Sequence, residues 1–164
     1  MASPRQDIWQ FQAGLGRRLL QWAGFSVGSG AVMSILGDRF WRGAGGQFAG
    51  WGLVDGLIGW LGLRGAHRQS SIPEEHSPAR QAKASGNLRR ILWINTGLDL
   101  AYVTGGIILA RTKGREDAFW RGSGFGIAVQ GGFLLLFDLL HALLLAEPRS
   151  AQLSNHAQCT LEPR

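Results

Sequence analysis

The chain has 164 residues, 45% of them hydrophobic, with 17 Lys or Arg against 11 Asp or Glu and a formal net charge of +6. That length fits one domain, and so ordinary an average hydrophobicity decides nothing; the distribution along the chain must. The basic residues are spread over Met1–Arg18, Arg64–Arg90, Arg111–Arg121 and the tail after Ala146, with no stripe interleaved with aromatics, so no nucleic-acid surface is expected. A lone cysteine, Cys159, excludes an intrachain disulfide and offers neither zinc nor haem-attachment spacing.

Residues 1–18 place Ile8, Trp9, Phe11 and Leu15 among Arg5, Gln10 and Gln12, which reads as an amphipathic or flexible segment and, lacking an apolar run before Gly14, not as a cleaved signal peptide. Beyond it lie four stretches nearly free of charge, about 19–36, 44–63, 91–110 and 124–146. Each is close to the roughly 20 residues that a membrane-spanning helix needs. The expected fold class is therefore all-α: a membrane four-helix bundle over 19–146, with 64–90 as a flexible connector and 147–164 as a polar flexible tail.

In the first span Gly24 and Gly28 form a GxxxG pair, a face that lets another helix come close. In the second, Gln47, Trp51 and Asp55 step by four along one side, and Gly52 and Gly56 form a small-residue track beside them. The third carries Asn95, Asp99 and Tyr102 in a polar stripe, with Gly105 and Gly106 at its far end. The fourth holds Gln130, Asp138 and His141, which at 100° per residue fall at about 0°, 80° and 20° and share a face, together with Gly131 and Gly132. His67 and His76 in the connector read as solvated bystanders.

Asp55, Asp99 and Asp138 each lie near the middle of a span. An aspartate at that depth costs roughly 2.5–3.5 kcal/mol on insertion scales. No Lys or Arg lies within those three spans, which leaves His141 as the cation nearest Asp138 and the neutral donors Asn95, Tyr102, Gln130 and Trp51 to satisfy the rest. Two readings stay open. The leading one is a structural or accessory membrane protein whose buried polar cluster fixes packing; the alternative is a proton- or cation-coupled carrier using the three aspartates. An enzyme is not expected, since no HExxH, GxSxG or Ser/Lys pairing sits in a span. The glycines Gly122, Gly124 and Gly126 follow no strand and precede no Lys-Ser/Thr, so no phosphate loop, cofactor or metal is expected.

A weak repeat runs through the chain. Arg17-Arg18 opens the first span as Arg89-Arg90 opens the third, and FWRG recurs at Phe40–Gly43 and Phe119–Gly122 before the second and fourth. Two duplicated helical hairpins, related by a pseudo-two-fold axis along the membrane normal, would follow. With four spans, eleven basic residues (Arg5, Arg17, Arg18, Arg64, Arg68, Arg80, Lys83, Arg89, Arg90, Arg149, Arg164) share the side of the termini. Six (Arg39, Arg42, Arg111, Lys113, Arg115, Arg121) lie opposite, which puts both termini in the cytoplasm. The expected partners are the lipid bilayer and a second copy or larger membrane assembly.

The segments NTGLDLAYVTGG at Asn95–Gly106, GFGIAVQGGFLLLFDLLHA at Gly124–Ala142 and WGLVDG at Trp51–Gly56 resemble an uncharacterised family of small bacterial four-span integral membrane proteins, a domain of unknown function. The resemblance covers about residues 17–146. It implies a four-helix membrane protein and carries no activity, ligand or catalytic residue.

Overall fold

The computed structural model describes residues 7–145, which form four long helices and two 3-10 turns, with no strand among the described residues. The expected flexible tail 147–164, Cys159 within it and residues 1–6 lie outside the described residues. Three of the helices start on an aspartate that accepts one of the N–H groups left unpaired in a first turn. Asp7 opens α1 (Ile8–Leu36) by accepting from Trp9 at 2.9 Å, and Asp38 opens α2 (Arg39–Ser70) by accepting from Trp41 at 3.1 Å. Asp117 opens α4 (Ala118–Leu144) by accepting from Phe119 at 2.8 Å. In α3 (Pro78–Arg111) a proline takes the first position, where its missing N–H costs nothing. Between α1 and α2 the chain reverses over Gly37 and Asp38; a Cβ on Gly37 would collide with the Met33 carbonyl and the Trp41 side chain.

Two segments differ from expectation. Residues 8–18 are the first turns of α1, continuous with 19–36. The stretch 64–90 is no flexible connector: α2 runs through to Ser70, a 3-10 turn covers Pro73–His76, and α3 begins at Pro78. Its Arg, Lys, Gln and Ala residues are good helix formers, so the lack of an apolar period does not stop the helices. Nor is His76 a bystander. Its Nδ1 lies 3.2 Å from Asp7 Oδ2, while Trp9 Nε1 donates to the Glu75 carbonyl at 3.2 Å, and the turn is thereby fastened to the start of α1.

The helices pack as two hairpins, α1 on α2 and α3 on α4, joined where α2 crosses α4. Glycine sets the same register in both. A Cβ on Gly30 would lie 2.7 Å from the Gly45 carbonyl oxygen and 2.5 Å from Ala49 N; one on Gly106 would lie 2.7 Å from both the Gly124 carbonyl oxygen and Ala128 N. Gly52 against Ala23, Ser26 and Val27 is likewise repeated by Gly131 against Asp99, Tyr102 and Val103. The FWRG repeats meet each other at the crossing: a Cβ on Gly43 would strike the Phe119 carbonyl, and one on Gly122 the Phe40 carbonyl. This reciprocity is what a pseudo-two-fold axis through the crossing requires. It also moves the register of the first and third helices, setting Arg17 and Arg18 level with Trp93 and Ile94 instead of Arg89 and Arg90.

The backbones of α1 and α4 do not touch, and neither do those of α2 and α3. Two gaps between the hairpins result, and side chains alone bridge them. The outside is apolar: Ile35, Leu36, Leu53, Leu136 and Leu144 are exposed, whereas Ser26, Asp55, Asp99, Gln130, Asp138 and His141 are buried. Three helices, α1, α3 and α4, are long and apolar enough to cross a membrane. The fourth expected span, α2, has the length but is Gly-rich and is not one of the three.

Candidate functional site

The gap between α1 and α4 is packed and paired. Gln130 is 1% exposed; its Nε2 donates to Ser26 Oγ at 3.0 Å and its Oε1 accepts from Trp22 Nε1 at 2.9 Å. The Trp22 indole stacks on Phe133 with ring centroids 3.6 Å apart. Three turns beyond Gln130 along α4, His141 Nδ1 lies 2.6 Å from the Phe137 carbonyl oxygen and Nε2 lies 3.0 Å from Arg18 Nη1. A guanidinium only donates, so Nε2 is the acceptor and the ring proton sits on Nδ1, donated to the carbonyl.

This corrects the expected pairing of His141 with Asp138. Three residues along a helix is a turn of about 60°, enough in a four-helix bundle to face a different neighbour. His141 and Gln130 look at α1, whereas Asp138 turns to the side of α3, where it lines one cavity with Asn95 and Asp99. The cation beside His141 comes instead from Arg18, at the edge of the first apolar stretch.

The gap between α2 and α3 is open. It holds a cavity of about 340 Å³ whose lining includes Asp55, Asp99, Asp138, Asn95, Trp51 and Tyr102, and no Lys or Arg among the described residues. The three aspartates are 2%, 5% and 7% exposed, and Asp55 Oδ2 and Asp99 Oδ2 have no hydrogen-bond partner among the described residues. Trp51 and Tyr102 meet edge to face at 4.7 Å across the gap. The register of the repeat explains why a space is left. The places of Trp22, Phe133, Phe137 and His141 in the packed gap are taken here by Leu98, Val54, Ile58 and Gly62, all of which line the cavity. In the same register the Trp51–Tyr102 contact stands where Gln130 bonds Ser26.

Six of the nine expected polar residues therefore gather around the cavity: Trp51, Asp55, Asn95, Asp99, Tyr102 and Asp138. Gln130 and His141 belong to the packed gap. Gln47 sits apart at the α2–α4 crossing, its Cβ where a side chain on Gly126 would fall. Of the expected packing glycines, Gly52, Gly56, Gly106 and Gly131 face a neighbouring helix, whereas Gly24, Gly28, Gly105 and Gly132 have nothing near them; α1 packs through Gly16 and Gly30 instead. Arg18, Trp22 and Ser26 were not anticipated, although their four-residue spacing carries the same signal that marks Gln47, Trp51 and Asp55. No three His, Cys, Asp or Glu side chains among the described residues converge closely enough to hold a metal ion.

At the opposite end, where the hairpins cross, Arg39 grips Asp117 with two hydrogen bonds, Nε to Oδ1 at 3.0 Å and Nη2 to Oδ2 at 2.8 Å. The Arg39 guanidinium, helped by the Phe119 N–H, holds the Asp117 carboxyl below the usual carboxylate range.

A family model described as a family of unknown function (DUF6992) matches residues 18–139, a range that includes Asp55, Asp99 and Asp138 and stops short of His141. No curated protein and no solved structure matches the chain.

Proposed function

The chain belongs to this family of unknown function, and we propose that it is a multi-pass protein of a bacterial cell membrane whose open gap serves as the cation or proton site of a carrier. The observation that carries this reading is the cavity, which reaches three buried carboxyls and leaves Asp55 Oδ2 and Asp99 Oδ2 unpartnered. Acids whose only purpose is packing have no use for a cavity beside them, whereas intramembrane acids that face one mark ion paths. Placement in the bilayer is supported by the apolar exterior and by three helices of spanning length. α2, gripped between α1 and α4, is the fourth span in this reading, and the excess of basic residues on the side of the termini supports placing both of them in the cytoplasm. A second reading, that the polar residues serve as interhelical glue, is favoured by the α1–α4 gap, where Gln130 and His141 are paired.

Reconstituted vesicles test the carrier. Wild-type protein should move protons or sodium down an imposed gradient, and Asp99→Asn should abolish that movement while remaining folded, since an amide exchanges no proton and neutralises no cation. An absence of flux in the wild type under every gradient would leave only the packing role. For orientation, a membrane-impermeant thiol reagent applied to intact cells should miss Cys159 and reach it only after permeabilisation.

A further inference from the structure

We infer that the gap between α2 and α3 binds an organic amine with an apolar body, its ammonium held between Asp55 and Asp99 and its hydrocarbon part against Trp51 and Tyr102. This rests on the reading of the gap as a cation site and narrows the cation. Size is the first consideration. About 340 Å³ lies at the small end of pockets that hold small molecules, roughly 300–1,000 Å³. A bare ion would leave most of that space vacant.

The wall chemistry points the same way. Inorganic cations of this kind are surrounded by about six or more oxygens, but much of this wall is hydrocarbon from Val54, Ile58, Leu98 and their neighbours. An ammonium brings three donors and no acceptor, which matches carboxylate oxygens that lack partners. The ring pair of Trp51 and Tyr102 adds π surface on which a cation and the carbon next to it can rest. An anion is repelled by three carboxyls.

The entry route also suits a ligand that dissolves in lipid. The α2 and α3 backbones stay apart, and Val54, Ile58 and Leu98 on the rim are half exposed on the outer surface, so the cleft opens sideways.

The experiment uses the full-length chain in detergent and in lipid nanodiscs, with 2-phenylethylammonium as probe and 2-phenylethanol and sodium as comparisons. The amine should raise the unfolding temperature and quench tryptophan fluorescence. Losing a charge-assisted hydrogen bond in Asp99→Asn should weaken binding by about tenfold or more, and Trp51→Phe should remove most of the quench. Ile58→Phe keeps every acid and fills the cavity, so it should also exclude the probe. The alcohol should bind at least about tenfold more weakly than the amine. Equal binding of amine and alcohol, or unchanged amine affinity in folded Asp99→Asn and Asp55→Asn, would overturn the inference. Flux of protons or sodium without amine binding would overturn it while leaving the carrier standing; absence of both would remove the two together.

Discussion

Two gaps sit at equivalent places in a duplicated fold, and the chain treats them in opposite ways. Between α1 and α4, large rings and a Gln130 bonded through both its amide nitrogen and its amide oxygen occupy the space, and His141 has a partner at each ring nitrogen. Between α2 and α3, aliphatic residues and Gly62 replace the rings, three acids crowd the wall, and two carboxylate oxygens go unmet. Equivalent helix contacts, set by Gly30 and Gly45 in one hairpin and by Gly106 and Gly124 in the other, therefore border a packed interface on one side and an open cleft on the other. A satisfied polar network stabilises one arrangement of helices, whereas an unsatisfied one costs free energy unless something else completes it.

The largest effect should come from the packed side. Gln130→Leu removes two hydrogen bonds and strands the Ser26 hydroxyl and the Trp22 indole N–H. A loss of about 3 kcal/mol is expected, since a membrane hydrogen bond contributes roughly 1 kcal/mol and an unpaired buried group costs about 1–3. Thermal unfolding in detergent would measure it; a loss no greater than for a substitution on the exposed outer surface such as Leu136→Ala would mean that the network does not hold the hairpins together.

The open side should respond with the opposite sign. In the register of the repeat Asp55 stands where the other hairpin has Leu134, so Asp55→Leu installs the residue that the packed half already uses. Removing an unpartnered buried carboxyl should be neutral or stabilising by about 1 kcal/mol, while the ion movement proposed for the gap should be lost. Destabilisation comparable to that of Gln130→Leu would show that Asp55 has a bonding partner in the folded protein and would erase the contrast between the gaps.

Much of this arrangement is legible in the residues. Stripes of polar side chains at four-residue spacing locate Trp51, Asp55, Asn95, Asp99 and Tyr102, because burial of a polar group in an apolar helix needs a neighbour. FWRG marks the crossing, since two glycines there let carbonyls of the opposing helix come close. Other features hide for physical reasons. GxxxG at Gly24 and Gly28 says only that a backbone can be approached, and in α1 the buried row is Gly16, Ala23, Ser26 and Gly30. Gln130, His141 and Asp138 fall within one face on a helical wheel, yet a second neighbour some 60–80° away suffices to divide them. Arg18 escapes notice because a charge at the end of an apolar stretch reads as a flank, although a long side chain reaches back along the helix.

The smallest expected effect lies at the crossing and again compares equivalent positions. Asp38 and Asp117 both cap helices that lead into FWRG, but only Asp117 is gripped by an arginine; the residue after Asp38 is Arg39 itself, and the residue after Asp117 is Ala118. Asparagine caps as well as aspartate, so Asp38→Asn and Asp117→Asn should both keep their helices, and the difference between them isolates the ion pair. The pair is exposed, with side-chain exposures of 73% and 29%, so its contribution should be small and should shrink with added salt. Its pH dependence has a definite sign. Asp117 has a folded pKa below its unfolded value, so the stabilisation is present above the unfolded value of about 3.9 and disappears as pH falls through the folded one. Unfolding temperatures measured from pH 6 down to pH 2 should therefore show wild type and Asp38→Asn losing a small increment below about pH 4 that Asp117→Asn never had. Parallel curves for wild type and Asp117→Asn would mean that Arg39 does not hold the two hairpins at this end.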